Sequence, residues 1–143
     1  MHRRSQRHAF TLIELLVVIV IIGMLAALVA PNIFRNVGAA KDATARSQIE
    51  MLGAALDAFR LDVGRYPTTT EGLTALWEKP SSLAESPQWR GPYTRKAIPL
   101  DPWQHAYIYT APGTVNPNGY DLLSYGADGK AGGDGENADI TSW

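Results

Sequence analysis

The run from Phe10 to Ala30, FTLIELLVVIVIIGMLAALVA, constrains this chain more than any other feature, because only Thr11 and Glu14 in its 21 residues are polar. At about 1.5 Å of rise per residue such a helix is about 31 Å long, matching a bilayer's hydrocarbon core of roughly 30 Å. One membrane crossing is expected. Arg3, Arg4 and Arg7 lie in the leader MHRRSQRHA, whereas only Arg35 and Lys41 follow closely, with Asp42 beside them. That bias keeps the N-terminus cytoplasmic and exports the rest. A cleaved secretory signal is the competing reading. Its apolar region is typically about 7–15 residues, shorter than this one, and Ala-Leu-Val-Ala before Pro31 is a poor cleavage context.

A plain anchor accounts for every residue of the stretch except Glu14. A carboxylate in a spanning helix costs about 2.5–3.5 kcal/mol at the bilayer centre and is tolerated chiefly when partnered or functional. Glu14 lies about one turn from the start, where the cost is lower but not zero.

Ala9-Phe10-Thr11-Leu12-Ile13-Glu14 after a short basic leader resembles the processing site of type IV pilin-like proteins. The resemblance implies cleavage by a membrane-embedded prepilin peptidase between Ala9 and Phe10, N-methylation of Phe10, and retention of the apolar stretch. The family normally has Gly where this chain has Ala9, a small-for-small change. Cleavage would free an α-amino cation at Phe10 within the same apolar layer. Glu14 of a neighbouring subunit could meet it only at one axial register, and an unpaired buried charge costs several kcal/mol, so the pair would select that register. Within one chain the same two groups are four residues apart on one helix face, so an intramolecular pair is the competing arrangement. The resemblance favours the intermolecular one.

Gly23 and Pro31 are expected to bend or locally melt the apolar helix. Beyond them, Ala45, Ile49, Leu52, Leu56, Phe59 and Val63 recur at spacings of three and four, the stripe of an amphipathic helix, while Asp42, Arg46, Glu50, Asp57 and Arg60 fall largely on other faces. Gly64 is the expected C-cap and Tyr66-Pro67 blocks continuation, giving one long helix over about 10–63. Thr68 to Glu71 matches a capping box leading into a short helix, GLTALWEKP, that ends at Pro80. PSSLAESPQWRGPYT reads as loop. Ala106–Thr110 and Tyr120–Tyr125 are β-prone runs separated by the turn-rich APGTVNPNG, predicting an antiparallel pair packed on the helix, with a third strand near Tyr93 or Ile140.

RYPTTTEGLTAL at 65–76, IPLDPWQHAYIY at 98–109 and YDLLSYGADGKAGGDGENADITSW at 120–143 are together similar to the major pseudopilins of type II secretion systems. Gln104-His105 departs from the family, which commonly has Gly after DPW. The resemblance implies an α+β pilin-like fold: a cleaved leader at 1–9, a transmembrane and assembly helix at 10–31, and a periplasmic head at 32–143. The chain has no cysteine, excluding disulfides, thiolate metal sites and cysteine nucleophiles. Type IV pilus subunits usually close their C-terminal region with a disulfide.

From Phe10 onward acids outnumber bases, which is no nucleic-acid footprint. The excess lies in residues 121–143, where Asp121, Asp128, Asp134, Glu136 and Asp139 face only Lys130. Ca²⁺ takes about 6–8 oxygen ligands, and glycine lets a backbone turn tightly enough to aim carbonyls inward. SYGADGKAGGDGENADI supplies both. An EF-hand starting at Asp128 fails, because Lys130 and Gly132 stand where oxygen ligands belong. The GGxGxDxUx nonapeptide is nearly met from Gly132, but Asn137 replaces its Asp and nothing repeats. By composition alone, a solvated acidic loop fits equally well. The family resemblance implies Ca²⁺ held by the Asp128 and Asp139 carboxylates and the Tyr125 carbonyl, with Ser124, Glu136 and Asn137 as lesser candidates and Asp134 facing solvent.

No G-x-S-x-G, H-E-x-x-H or phosphate loop is present. His2 and His8 lie in the leader, and His105 reads as an exposed loop residue. Trp77, Trp89, Trp103 and Trp143 read as packing rather than a sugar-binding surface, with Trp77 and Trp103 beside core elements. The expectation is a non-enzymatic subunit of a periplasmic pseudopilus, a homopolymer built through its N-terminal helices. It would have no small-molecule substrate and no nucleic-acid partner. Implied partners are the inner membrane, a prepilin peptidase, minor pseudopilins, an inner-membrane assembly platform and a cytoplasmic ATPase. A type IV pilus subunit, a minor pseudopilin, or a membrane-anchored periplasmic calcium-binding adaptor are the other readings.

Overall fold

The computed structural model describes residues 10–143, with the backbone alone for 31–35. The leader, with Ala9, lies outside the described residues. Helix α1 spans Leu12–Val63. The chain divides into two compact units, Met1–Val37 and Gly38–Trp143.

In the first unit no part of the window Leu12–Ala30 is buried, and large apolar side chains from Phe10 to Val29 stand exposed. A helix apolar all round needs lipid or other helices to cover it. The local melting expected at Gly23 and Pro31 is not found, since both lie inside the helical run. Helix propagation is cooperative, and the groups freed by one proline can be accommodated by local adjustment.

In the second unit the same helix becomes one-sided. Ala45, Ile49, Leu52, Ala55, Leu56 and Phe59 are buried, while Arg46, Glu50, Asp57 and Arg60 are exposed. Gly64 adopts φ 85° and donates its N–H to the Arg60 carbonyl at 2.8 Å, closing the helix where a side chain would be strained. The buried face meets a three-stranded antiparallel sheet in the order β1 (Ile108–Thr110), β2 (Asp121–Ser124), β3 (Ile140–Thr141). Tyr109, Leu122 and Ile140, one from each strand, join the core. The two predicted strands exist but are shorter than expected. The third lies at Ile140, not Tyr93.

Tyr93 instead contributes its ring, packed edge-on against Phe59 at 5.6 Å, and its hydroxyl donates to Asp62 at 3.0 Å. Its backbone N–H donates to the Leu76 carbonyl, tying this long loop to the core. The helix expected up to Pro80 is a single 3₁₀ turn, Leu73–Leu76, whose Leu73, Ala75 and Leu76 are buried. A second 3₁₀ turn, Ser81–Leu83, lies in the segment read as loop and buries Leu83. These segments fill core volume that short strands leave open. Trp89 and Trp103 are half-buried against the core, whereas Trp143 is exposed.

The Thr68–Glu71 box forms as read: Thr68 N–H donates to Glu71 Oε2 at 2.7 Å and Glu71 N–H to Thr68 Oγ1 at 3.2 Å. Arg65 adds a two-pronged bridge to the same carboxylate at 2.7 and 2.8 Å. The Arg65 guanidinium, with Ser82 Oγ and the Thr68 N–H, outweighs burial and holds the Glu71 carboxyl down at about 2, from an ordinary 4.5. A depressed carboxylate contributes stability above its unfolded pKa and loses it as pH falls through the folded one. Glu71→Gln should therefore cost about 1 kcal/mol at neutral pH. Urea unfolding from pH 7 to 2 should show a shallower stability loss below about 4.5 in the variant than in the wild type.

Candidate functional site

Two regions carry candidate functional residues. At the start of α1, Phe10 is exposed, and Thr11 occupies the position before the first helical residue. Glu14 Oε2 accepts the Thr11 N–H at 2.7 Å and the Thr11 hydroxyl at 2.9 Å, while Glu14 N–H donates to Thr11 Oγ1 at 3.3 Å. This is a capping box, two otherwise unpaired helix-end donors satisfied reciprocally. Sequence reasoning read that pattern at Thr68–Glu71 and missed it at Thr11–Glu14, where the apolar surroundings drew attention to charge. Glu14 thus has a local partner while Phe10 is an internal residue.

The second region is the acidic loop. β2 and β3 pair Ser124 with Ile140, so both ends of residues 125–139 are held side by side. Inside, Ala127 N–H donates to the Glu136 carbonyl at 2.8 Å. A Cβ on Gly126 would lie 2.8 Å from the carbonyl oxygens of both Glu136 and Ala138, so only glycine permits this closure. Lys130 N–H donates to Asp128 Oδ1 at 3.1 Å and Gly132 N–H to Asp139 Oδ2 at 2.9 Å. Both acids expected to act as ligands therefore organise loop backbone.

Asp139 Oδ1 is buried and has no hydrogen-bond partner among the described residues. An orphaned buried carboxylate oxygen is costly, and a bound cation is one way to satisfy it. Asp128, Glu136, Asn137 and Asp134 are exposed, and Tyr125 is half-buried. The Glu136 carboxylate lies over Gly38 on α1, while its carbonyl faces into the loop toward Ala127. No group of three His, Cys, Asp or Glu side chains converges among the described residues. The donors that the loop offers are oxygens, two carboxylates supplemented by carbonyls, which suits a hard cation such as Ca²⁺ rather than a transition metal.

The loop rests on a turn that sequence reasoning treated only as a departure from a family pattern. Asp101 is 1% exposed, and its Oδ1 accepts the N–H groups of Trp103 at 3.0 Å and His105 at 2.8 Å. Its Oδ2 accepts the Ser124 hydroxyl at 2.5 Å, and Ser124 Oγ in turn accepts the Gly126 N–H at 3.2 Å. The Ser124 proton is thus committed to Asp101. His105, expected to be an exposed loop residue, is half-buried because its Nδ1 reaches the Gly126 carbonyl at 3.2 Å. The signal that could have found this network is the DPW turn itself, an acid followed by proline with N–H donors two and four residues on.

Gln104 in that turn sits at φ 72°, the left-handed region that favours glycine. Gln104→Gly should therefore stabilise the head by about 1 kcal/mol. Chemical unfolding should show a higher midpoint at unchanged slope.

Comparison with known proteins follows the same division of the chain. Residues 32–143 match the family model described as type II secretion system (T2SS), protein G, and residues 4–30 match the prokaryotic N-terminal methylation motif. The type II secretion system core protein G of Pseudomonas aeruginosa is 45% identical over 141 residues, covering 99% of this chain and 98% of that protein. Its Vibrio cholerae counterpart is 40% identical over 143 residues, covering 100% of this chain and 96% of that protein. The crystal structure of the major pseudopilin from the type 2 secretion system of enterohaemorrhagic Escherichia coli superposes with a TM-score of 0.64 at 36% identity, covering 79% of this chain and 95% of that one.

Proposed function

Because this chain belongs to the type II secretion system protein G family, we propose that it is the major structural subunit of a pseudopilus that helps move folded proteins across the outer membrane. The observation that carries this reading is the exposed apolar helix Leu12–Ala30 with Glu14 one turn from its start, inside a matched N-terminal methylation motif. Such a surface is stable in lipid before assembly and among like helices after it. Anchored in the inner membrane with its head in the periplasm, the subunit is a substrate for prepilin peptidase at Ala9–Phe10. It joins minor pseudopilins and an inner-membrane platform, and a partner ATPase supplies energy.

Cleavage before Phe10 changes the electrostatics at Glu14. The new α-amino group is a cation beside a carboxylate whose hydrogen-bond partner among the described residues is the neutral Thr11. In an apolar filament core the amine and a neighbouring Glu14 are most stable when paired, so the pair specifies register more than it adds net stability. We read the subunit as structural, without a catalytic role.

Ca²⁺ is the cation this reading places in the acidic loop, held by Asp139, Asp128 and loop carbonyls including Tyr125, with Ser124, Glu136 and Asn137 as lesser candidates. Its chemistry there is charge neutralisation and loop closure, the part a disulfide plays elsewhere. The orphaned Asp139 Oδ1 supports this assignment.

Co-expression with a prepilin peptidase tests the filament reading: mass spectrometry should find a mature chain beginning at methylated Phe10, and an intact leader would oppose it. For the metal, the full chain in detergent should melt several degrees higher in calcium than in chelator. A free concentration of about 100 times Kd corresponds to about 2.7 kcal/mol. Asp139→Asn should abolish the difference, and equal melting temperatures of the wild type in both conditions would remove calcium from the account.

A further inference from the structure

We propose that Asp101, far from the loop in sequence, is the positioning residue for the acidic loop, acting through Ser124 and His105 on the single residue Gly126. The inference rests on the calcium reading for its metal arm and on geometry for its loop arm.

Gly126 is held from both sides of its backbone. Its N–H donates to Ser124 Oγ at 3.2 Å, and its carbonyl faces His105 Nδ1 at 3.2 Å. A carbonyl only accepts, so His105 carries its proton on Nδ1 in this contact. Both holding residues are fixed by the same buried carboxylate: Asp101 Oδ2 takes the Ser124 hydroxyl and Oδ1 takes the His105 N–H. The Asp101 backbone N–H also donates to the His105 carbonyl at 2.8 Å, closing the turn. Ser124 is completely buried, so its hydroxyl is held by protein partners away from bulk solvent.

The consequence reaches across the loop. Gly126 sits against the Glu136 and Ala138 carbonyls, and the next residue, Ala127, bonds the Glu136 carbonyl. Fixing Gly126 therefore fixes the start of the loop against its end, immediately before Asp139. Tyr125 and Asp128 flank the clamp within two residues on either side. Ligands arranged before the cation arrives lose less conformational entropy on binding, and outer residues that orient ligands commonly change metal affinity by about 10–100-fold.

The test uses the full chain in detergent micelles, with Asp101→Asn, Ser124→Ala and His105→Ala. Two readouts are taken: Ca²⁺ affinity by titration calorimetry, and amide hydrogen exchange in chelator. The expected result is affinity weakened about tenfold in His105→Ala, a residue outside the candidate ligand set. Exchange should accelerate in residues 126–139 and not along Ala45–Phe59. If Asp101→Asn does not fold, the other two variants carry the test. Variants that lower the melting temperature yet keep wild-type affinity and wild-type loop exchange would overturn the proposal, because Asp101 would then stabilise the head without positioning the loop. If the wild type takes no calcium, the metal reading and the metal arm fail together. Loop-confined acceleration would still support the clamp, and its absence would overturn it.

Discussion

Burial of one face of α1 is the constraint on which the head depends. Leu52, Leu56 and Phe59 are wholly buried, and the elements that cover them are too short to persist alone: strands of three, four and two residues and two single 3₁₀ turns. A small sheet of this kind requires packing against a helix. Sheet, loops and helix therefore form one cooperative core, with Leu76, Tyr109, Leu122 and Ile140 as the contributions of the covering layer. The same helix presents apolar residues on every side from Leu12 to Ala30, a window of which no part is buried. One element thus serves two environments, and the change in its pattern marks where each begins.

The parts of this fold that follow from periodicity were legible in the sequence. The stripe from Ala45 to Phe59, the cap at Gly64 and the capping box at Thr68–Glu71 each depend on residues close in sequence. The antiparallel pair was legible because β-prone runs flanked a turn-rich segment. What escaped were features made by distant or unpatterned contacts. Tyr93 looked extended and is a ring against Phe59. GLTALWEKP looked helical and is one 3₁₀ turn, because burial of Leu73 and Leu76 set its geometry rather than propensity. His105 looked free because its partner, the Gly126 carbonyl, lies in another segment.

The candidate site divides in the same way. Composition located the acidic, glycine-rich loop, and family resemblance supplied the roles proposed for Asp128, Asp139 and Tyr125. The structure adds the orphaned oxygen on Asp139 and the network beneath the loop, which no local pattern announces. At the other end, Glu14 was conspicuous as a charge in an apolar run. Its capping of Thr11 gives it a purpose in the uncleaved chain, and under the proposed cleavage an amine freed at Phe10 would give it a different one. A charge with alternative partners can be tolerated in the membrane and still enforce register in a filament.

Filament assembly by Glu14→Ala measures this most directly. Wild-type and variant chains, each co-expressed with the peptidase and the secretion machinery, are compared for cleavage before Phe10 and for filaments by electron microscopy. The account predicts normal cleavage of the variant with few or no filaments, because the amine at Phe10 would enter the apolar core without a partner. Normal filaments from the Glu14→Ala chain would contradict it.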